Sequence, residues 1–385
     1  MMTRLSTACC ASVASAICLL LAPAANAATE TVIYSFCSQN NCADGGEPAA
    51  SLTIAEGRLY GTASDIGSPG AGTVYTFNPR SGAEKTVFAF SPQNYEGAYP
   101  NGSVLNVSNA LYGLTELGGI YGGGALFSLD RKTGAGTVVH AFGDGSDGAS
   151  PCWANSLILV KGKLYGTTYS GGAHNNGIVF SIDPSSGTEV ILHSFQNADG
   201  ANPSSGLIEI GGALYGTTVS GGFADDGTVF SIDPRTGAET VLYSFKGGSD
   251  GGYPAGGLLA YKGILYGTTS ATAFSLDPGT DVETVLHTFH GGADGFEPTG
   301  GLINMHGTLY GTTKSGGTGC RGGGCGTVFS IDPQSGAESV TYAFQDNGSD
   351  GIGPFAGLVE FKGALYGTTE FGGTNDTGTI FKIMP

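Results

Sequence analysis

Short runs of apolar and polar residues alternate along this chain, and the same run returns about every fifty positions. The tripeptide Leu-Tyr-Gly occurs seven times, with its leucine at Leu59, Leu111, Leu164, Leu214, Leu265, Leu309 and Leu365. Each copy lies in a segment rich in Val, Ile, Tyr, Phe and Thr, and long helical periodicity is absent. A repeat of this length is typical of a propeller or a solenoid.

One repeat contains four predicted strands joined by turns, and we number the repeats by their copy of Leu-Tyr-Gly. In the fourth repeat the strands cover residues 203–210, 213–218, 228–232 and 239–245. The turn before the last strand begins with Asp233-Pro234 and ends with Gly237, because Asp caps its own backbone, Pro presets φ and Gly accepts a left-handed conformation. Four antiparallel strands predict one blade of a β-propeller.

The order of the strands predicts that the blades close into a ring. Third and fourth strands each occur seven times, but the first predicted strand, Glu30 to Phe36, is a fourth strand, and the last, Thr379 to Ile383, is a third. The N-terminal strand would complete the last blade and leave no free sheet edge. We therefore predict an all-β, seven-bladed propeller over residues 28–385, and we expect it to be a monomer.

The repeat resembles a known family. Residues 214–237 contain Leu-Tyr-Gly-Thr-Thr, then Gly-Thr-Val-Phe-Ser-Ile-Asp-Pro, and end on x-(Ser/Thr)-Gly, after which x-Glu-x-Val-Leu, Phe and Asp-Gly follow. This unit is similar to the GloVer tandem repeat of exported bacterial proteins, over essentially the whole chain after residue 27. The resemblance implies export and repetition but no established chemistry. The strand order is also similar to that of kelch propellers, which implies that the Pro-x-x-Gly-Leu strand is innermost.

The first 27 residues differ from the repeats. Arg4, an apolar stretch over residues 12–22 and the small residues Ala25-Asn26-Ala27 predict a secretory signal peptide cut before Ala28. No second apolar segment suggests a membrane span or anchor, so we expect a secreted or periplasmic protein. The formal charge of −17 would repel nucleic acid and anionic membranes, and it favours a cation or a neutral or basic ligand.

Five cysteines lie outside the predicted signal peptide. Cys37 and Cys42 bracket four residues of a loop, as do Cys320 and Cys325. Two local disulfides are the simplest interpretation for an oxidising compartment, and a zinc site, which would require the two loops to converge, is the alternative. Cys152 remains as a free thiol or an intermolecular link.

The loop between the fourth and first strands repeats as acid-Gly-x-x-Pro. Kelch-like order would place it on one face with the loop between the second and third strands. Seven carboxylates around one mouth could bind a cation such as calcium, or supply an acid–base pair because like charges raise one another's pKa. The alternative is turn chemistry needed in every blade. No loop has a dense calcium-binding pattern. The acids are Asp44, Glu96, Asp147, Asp199, Asp250, Asp294 and Asp350.

Departures from the repeat are candidates for a specific site. Blade three has two extra residues within 152–155, a segment that contains the only tryptophan, Trp153. Its ring would stack on a sugar or an aliphatic ligand, or else plug the channel as packing. Blade five lacks the Gly-Gly loop and blade six has the longest one, so a notch is predicted there, with neutral loop variation as the alternative.

Aromatic residues flank the same loops. With the acids they form a composition suited to carbohydrate, although each alone could cover a blade edge; they are Tyr99, Tyr253, Phe296 and Phe355. His140, His193 and His287 occupy a fourth-strand position that is aromatic in other blades, and we expect them to pack there. No histidine has ligand spacing to another His or Cys. No nucleophile elbow or phosphate-binding loop is present.

Three functional hypotheses follow. The first is an exported, non-catalytic propeller that binds a glycan or a surface protein. The second is a polysaccharide lyase or hydrolase using an acid near Trp153, with or without a metal, and the third is a structural envelope component. An acid-plus-His or paired-acid cluster in the channel mouth, with one perturbed carboxylate, would favour the enzyme. The candidate ligand-binding residues are Trp153, Asp147, Asp199, Asp250, Tyr253, Asp294, Phe296 and Asp350.

Overall fold

Each repeat forms one four-stranded antiparallel sheet in the computed structural model, which describes residues 28–66, 70–91, 95–151, 156–320 and 322–385. Seven sheets are arranged in a ring, so the protein is an all-β, seven-bladed β-propeller, as predicted. Over these residues the only helical segments are three 3-10 turns, Asn40–Cys42, Gly248–Asp250 and Gly292–Asp294.

The blades share one strand pattern, with a short innermost strand, two central strands and an outermost fourth strand. For blades one to six the strands are Thr53–Ala55, Arg58–Ala63, Thr73–Asn78 and Ala83–Ala89; Leu105–Val107, Ala110–Thr115, Ala125–Asp130 and Gly136–Ala141; Ile158–Val160, Lys163–Thr168, Ile178–Ile182 and Glu189–Ser194; Ile208–Ile210, Ala213–Thr218, Thr228–Ile232 and Glu239–Ser244; Leu259–Tyr261, Ile264–Thr268, Thr272–Asp277 and Val282–Thr288; Ile303–Met305, Thr308–Thr313, Thr327–Ile331 and Glu338–Ala343.

Blade seven is assembled from two distant parts of the chain. Val359–Phe361, Ala364–Thr369 and Thr379–Met384 supply its first three strands. The N-terminal strand Thr29–Ser35 pairs antiparallel with Thr379–Met384 and takes the fourth place. The predicted closure of the ring is therefore confirmed.

The innermost strands are shorter than the sequence predicted. In blade four, residues 203–210 were expected to be a strand, and only Ile208–Ile210 pairs. Pro203 has no N–H to donate, and the Ser205 carbonyl accepts a 3.1 Å hydrogen bond from the hydroxyl of Thr167 in the preceding blade. The chain before Ile208 therefore packs against its neighbour instead of joining its own sheet.

Aromatic pairs connect every blade to the next. A buried phenylalanine follows each fourth strand and packs on a third-strand ring of the next blade, with centroids 4.8–5.2 Å apart. Such a pair contributes about 0.5–1.5 kcal/mol beyond the area it buries. The pairs are Phe36–Tyr75, Phe90–Phe127, Phe142–Phe180, Phe195–Phe230, Phe245–Phe274, Phe289–Phe329 and Phe344–Phe381.

The third-strand ring also explains the glycine of Leu-Tyr-Gly. A Cβ atom at Gly216 would lie 2.6 Å from Cζ of Phe230, and the equivalent contact occurs in every blade. The ring lies directly across the glycine backbone, so any side chain at this position would displace it. The repeated tripeptide is thus a packing requirement of the blade.

Both predicted disulfides form. Cys37–Cys42 closes part of the loop before blade one, and Cys320–Cys325 closes the long loop of blade six, so these cysteines do not make the alternative zinc site. Cys152, Trp153 and the predicted signal peptide lie outside the described residues. Among the residues that are described, no helix is long and apolar enough to cross a membrane.

Candidate functional site

The two loop sets expected on one face do lie together. In six blades, the loop after the fourth strand of the preceding blade pairs with the loop between the second and third strands. In blade five only residues 269–271 connect the second and third strands, and the two loops share a single backbone hydrogen bond, from Ser270 N to Gly252 O at 2.9 Å, without a β-bridge among the described residues. The paired residues are Gly46–Asp65, Ala98–Leu117, Gly148–Gly171, Ala201–Ser220, Phe296–Ser315 and Gly351–Gly372.

The repeated acids do not converge on the centre of this face. Each aspartate faces a Tyr or His of the fourth strand before it, and a glutamate on the fourth strand of the next blade. We call these groups the outer clusters, because the fourth strands form the circumference. They are Tyr34–Asp44–Glu84, His140–Asp147–Glu189, His193–Asp199–Glu239, Tyr243–Asp250–Glu283, His287–Asp294–Glu338 and Tyr342–Asp350–Glu30.

The contacts within the outer clusters are short. In the tyrosine clusters, the phenol O–H donates to the aspartate over 2.6–2.7 Å. In the histidine clusters, the imidazole Nε2 lies 2.9–3.2 Å from an aspartate oxygen. Each histidine also packs edge-on against the phenylalanine two residues later, with centroids 4.8 Å apart. The histidines are packed strand residues, as expected, but they also hold the repeated acids.

Burial, followed by the charge of the paired aspartate, raises the pKa of the cluster glutamates. The pKa rises to about 8 for Glu30 and Glu189, and to about 7 for Glu84, Glu239 and Glu283. A protonated glutamate can donate to the aspartate, whereas two ionised carboxylates would repel each other. The outer clusters therefore favour a single proton shared by each carboxyl pair.

One interface lacks a cluster. Between blades one and two, Phe88 takes the place of the Tyr or His, Glu96 that of the aspartate, and Gly136 that of the glutamate. These residues line a cavity of about 200 Å³ together with Phe90 and Phe127. All three cluster positions differ here together, which indicates that they act as one unit.

A separate depression, which we call the mouth pocket, lies on the loop face. Its volume is about 270 Å³. Blades six, seven, one and two supply its walls through residues beside the repeated proline or just after the second strand. An axial cavity of about 290 Å³ is lined by residues at the start of the first strand of each blade or just before it. The mouth pocket is lined by Glu47, Ala49, Ser64, Asp65, Tyr99, Asn101, Glu116, Lys314, Phe355 and Glu370.

The residue before the repeated proline has the same unusual backbone in every blade. In six of the blades its carbonyl accepts a hydrogen bond from the segment after the second strand, as in Glu116 N to Tyr99 O at 3.2 Å, and blade five is the exception. A left-handed conformation at a non-glycine residue costs about 1–3 kcal/mol and is concentrated at functional sites. The values of φ are 54° at Glu47, 59° at Tyr99, 51° at Ser150, 58° at Asn202, 56° at Tyr253, 57° at Glu297 and 67° at Gly353.

Charge and hydrogen bonding organise the mouth pocket. Lys314 Nζ lies 3.2 Å from Glu370 Oε2 and 4.9 Å from the centroid of the Phe355 ring. Asn101 Nδ2 donates to Glu116 over 2.8 Å, while Asn101 Oδ1 is buried and has no hydrogen-bond partner. Burial raises the pKa of the Glu116 carboxyl group, and the hydrogen bond from Asn101 offsets part of this rise.

Glu47 lies beside two other acids of the pocket wall. Burial raises the pKa of Glu47, and the carboxylates of Asp65 and Glu370 raise it further. A carboxyl group that holds its proton beside ionised neighbours can donate a hydrogen bond or act as an acid. The pocket thus contains a paired-acid arrangement of the kind that sequence analysis named as a test for an enzyme.

The predicted ligand-binding residues lie in different parts of the molecule. Asp147, Asp199, Asp250, Asp294 and Asp350 are in the outer clusters, and none of them lines the mouth pocket. The rings of Tyr253 and Phe296 are 51% and 41% exposed on the loop face, outside the pocket. Trp153 lies outside the described residues, so its role stays a prediction.

Sequence analysis overlooked the acids of the mouth pocket. These acids occupy positions that differ from blade to blade, whereas the predicted candidates were acids that every blade repeats. They are Glu47, Asp65, Glu116 and Glu370. The useful indication was their place beside the proline and directly after the second strand. The flanking aromatics Tyr99 and Phe355, which were noted, do line the pocket.

Comparisons with known proteins agree with this architecture. A family model described as Gloeobacter/Verrucomicrobia repeat matches residues 21–159, 90–273, 153–323 and 270–385. The search of curated proteins finds no match.

Two solved structures share the fold at low identity. An oligogalacturonate lyase from Vibrio parahaemolyticus is 9% identical, with a TM-score of 0.54 over 92% of this chain and 93% of that one. The extracellular domain of a putative one-component system from B. thetaiotaomicron is 13% identical, with a TM-score of 0.57 over 88% of this chain. This chain spans 40% of that domain's length. At such identities the likeness shows the fold alone.

Proposed function

The chain belongs to the Gloeobacter/Verrucomicrobia repeat family, and from that premise we propose that it is an exported propeller, secreted or periplasmic, that binds a glycan at the mouth pocket. The local disulfides support an oxidising compartment. At this pocket several non-repeated polar and aromatic side chains meet on the loop face. Positions that are the same in every blade would present equivalent groups all around the ring and would not select one ligand.

The observation that carries this proposal is the composition of the pocket wall. Tyr99 and Phe355 offer aromatic surface, and Asn101 Oδ1 is a buried acceptor without a partner. Sugars present apolar C–H faces and donating hydroxyl groups, which match these two features. An unpartnered buried acceptor costs about 1–3 kcal/mol, and a sugar hydroxyl would remove that cost.

The charge of the pocket narrows the class of glycan. Four carboxyl groups face one ammonium group, that of Lys314, so a neutral or an amino-bearing polysaccharide is favoured over an anionic one. The lyase with the similar fold acts on oligogalacturonate, which is an anion. The difference in charge argues against the same substrate here.

The test is retention of the purified protein on three immobilised polysaccharides: neutral xylan, cationic chitosan and anionic polygalacturonate. We expect retention on the first or second and not on the third. Tyr99→Ala should weaken retention roughly tenfold. Tyr253→Ala is the matched control, because it changes the same repeat position outside the pocket. Equal effects of the two variants, or retention on polygalacturonate alone, would overturn the proposal.

The second candidate is a polysaccharide-degrading enzyme, favoured by the perturbed Glu47 beside two other acids. An acid–base pair requires one protonated and one ionised carboxyl group, and the raised pKa of Glu47 beside Asp65 and Glu370 favours such a division. New chain ends in the retention assay would support it, and Glu47→Gln should then abolish cleavage while retention persists. Retention without new ends leaves the binding module as the function.

A further inference from the structure

Three of the outer clusters combine an imidazole with two carboxylates. They lie between blades two and three, three and four, and five and six. In each, the histidine and the aspartate come from one blade and the neighbouring loop, and the glutamate comes from the fourth strand of the next blade. One ligand atom from each residue lies within 4.8 Å of the other two in all three clusters.

The spacing is close to that of a metal centre. A tetrahedral site with bonds of about 2.0–2.1 Å places its ligand atoms about 3.3 Å apart. The histidine Nε2 atoms lie 3.0, 3.2 and 2.9 Å from their aspartate oxygens. A small rotation of the glutamate would complete a three-ligand face with room for water in the fourth position.

A second observation points to a missing partner. The Oε1 atom of the glutamate is buried and has no hydrogen-bond partner in all six outer clusters, so each of them, with Tyr or with His, has room for one more proton or cation. His193 Nε2 is also buried and lacks hydrogen-bond geometry to Asp199, despite its 3.2 Å distance. Two carboxylates cannot bond to each other unless a proton or a cation lies between them.

The tyrosine clusters provide an internal comparison. There the phenol O–H donates a hydrogen bond to the aspartate. The phenol oxygen therefore presents its hydrogen to the cluster and does not serve as a neutral ligand. Neutral imidazole, in contrast, has a lone pair suited to zinc. Both cluster types share the Asp and Glu, and they differ only in the residue that decides whether a metal can bind.

We propose that each of the three histidine clusters binds one divalent transition metal ion, with zinc the best match to its ligand set. Imidazole nitrogen and carboxylate oxygen are both zinc ligands, and three protein ligands leave the fourth position to water. The two negative charges are neutralised by the dication, which removes the repulsion between the carboxylates. Each ion would tie the fourth strand of one blade to that of the next and so clamp the circumference of the ring.

The experiment measures zinc directly in the full chain. The protein is stripped with EDTA, incubated with zinc, desalted and analysed for metal by mass spectrometry. We expect three ions per chain and a higher melting temperature. Each of His140→Tyr, His193→Tyr and His287→Tyr should remove one ion, and the triple variant should remove all three. The chain itself uses Tyr at this position in three other blades, so the interface is kept.

Two further variants make the test decisive. Tyr243→His introduces imidazole beside Asp250 and Glu283, and it should raise the count to four. Glu47→Gln in the mouth pocket should leave the count at three, which separates this site from the proposed glycan site. No retained zinc in the parent, or an unchanged count in the triple variant, would show that the clusters hold only protons. If the triple variant does not fold, a Tyr243→His protein that stays at the parental count overturns the proposal.

Discussion

The outer clusters and the mouth pocket are built from the same repeat but in opposite ways. Six of the seven interfaces carry nearly the same cluster of Tyr or His, Asp and Glu, set between neighbouring blades. The mouth pocket is built from positions at which the seven blades differ, such as Glu47 and Tyr99 before the proline. Repetition marks what every blade needs in order to pack, whereas divergence marks where the ring can distinguish one ligand from another.

The largest effect should come from opening the ring, because both regions depend on closure. Deletion of residues 30–36 removes the fourth strand of blade seven and Phe36, which packs on Tyr75. Loss of one buried phenylalanine costs about 3–5 kcal/mol, a large part of a typical total stability of 5–15 kcal/mol. We expect no cooperative thermal transition. Deletion of residues 1–27 is the control, and a truncated protein that melts like its parent would contradict the closed ring.

A smaller but clear loss should follow from filling the repeated glycine. Gly216→Ala forces a methyl group against the Phe230 ring, and overpacking of this kind costs about 1–3 kcal/mol. Gly257→Ala is the matched control, since a Cβ atom there would meet nothing within 4 Å; its change should be within about 0.5 kcal/mol. Denaturant unfolding of both variants measures the difference. Equal losses would mean that the third-strand ring can move aside.

The repeat explains why the fold could be predicted from sequence while the site could not. Seven copies of each strand gave the blade number, and the shifted order gave the N-terminal closure. The location of Asp147 and its equivalents required knowing which way a loop side chain turns. These aspartates turn outward because Tyr or His on the preceding strand offers a hydrogen bond, and a burial pattern in sequence does not reveal that choice.

The sequence did contain one indication of the outer clusters. Phe88, Glu96 and Gly136 depart from the repeat together, each at one of the three cluster positions. Joint departures of this kind indicate contact between residues distant in the chain. The mouth pocket offered no such indication, because its residues vary independently.

A moderate effect on stability is expected from alkaline pH, acting through the outer clusters. Burial and the charge of Asp350 raise the pKa of Glu30 to about 8 from an ordinary 4.5. A raised pKa in the folded state means that stability is highest at low pH and is lost as the pH rises through about 8. The melting temperature should therefore fall between pH 6 and pH 9, measured in EDTA.

The variant Glu30→Gln should make this fall smaller but not remove it, because an amide donates to Asp350 at every pH while the other cluster glutamates still titrate. Glu96→Gln is the control, since it lies at the interface without a cluster and should keep the parental pH profile. A parent whose stability rises with pH over this range would show that the carboxyl pairs do not share a proton.

The smallest effect on stability should come from the mouth pocket itself. Lys314 has a partly exposed ion pair with Glu370, and such pairs contribute about 0–1 kcal/mol. Lys314→Met should therefore change the unfolding free energy by less than about 1 kcal/mol.

Retention on polysaccharide should respond to Lys314→Met far more than the free energy of unfolding does. Removal of the only ammonium group makes the pocket more negative, so retention on chitosan should rise severalfold at low salt and lose that gain at high salt, because screening weakens the added attraction. Lys362→Met is the matched control, because Lys362 lies 4.9 Å from the Phe361 ring, as Lys314 does from Phe355, but outside the pocket. If both variants shift retention equally, net charge alone governs binding. A shift confined to Lys314→Met would show that the divergent positions, and not the repeated ones, select the ligand.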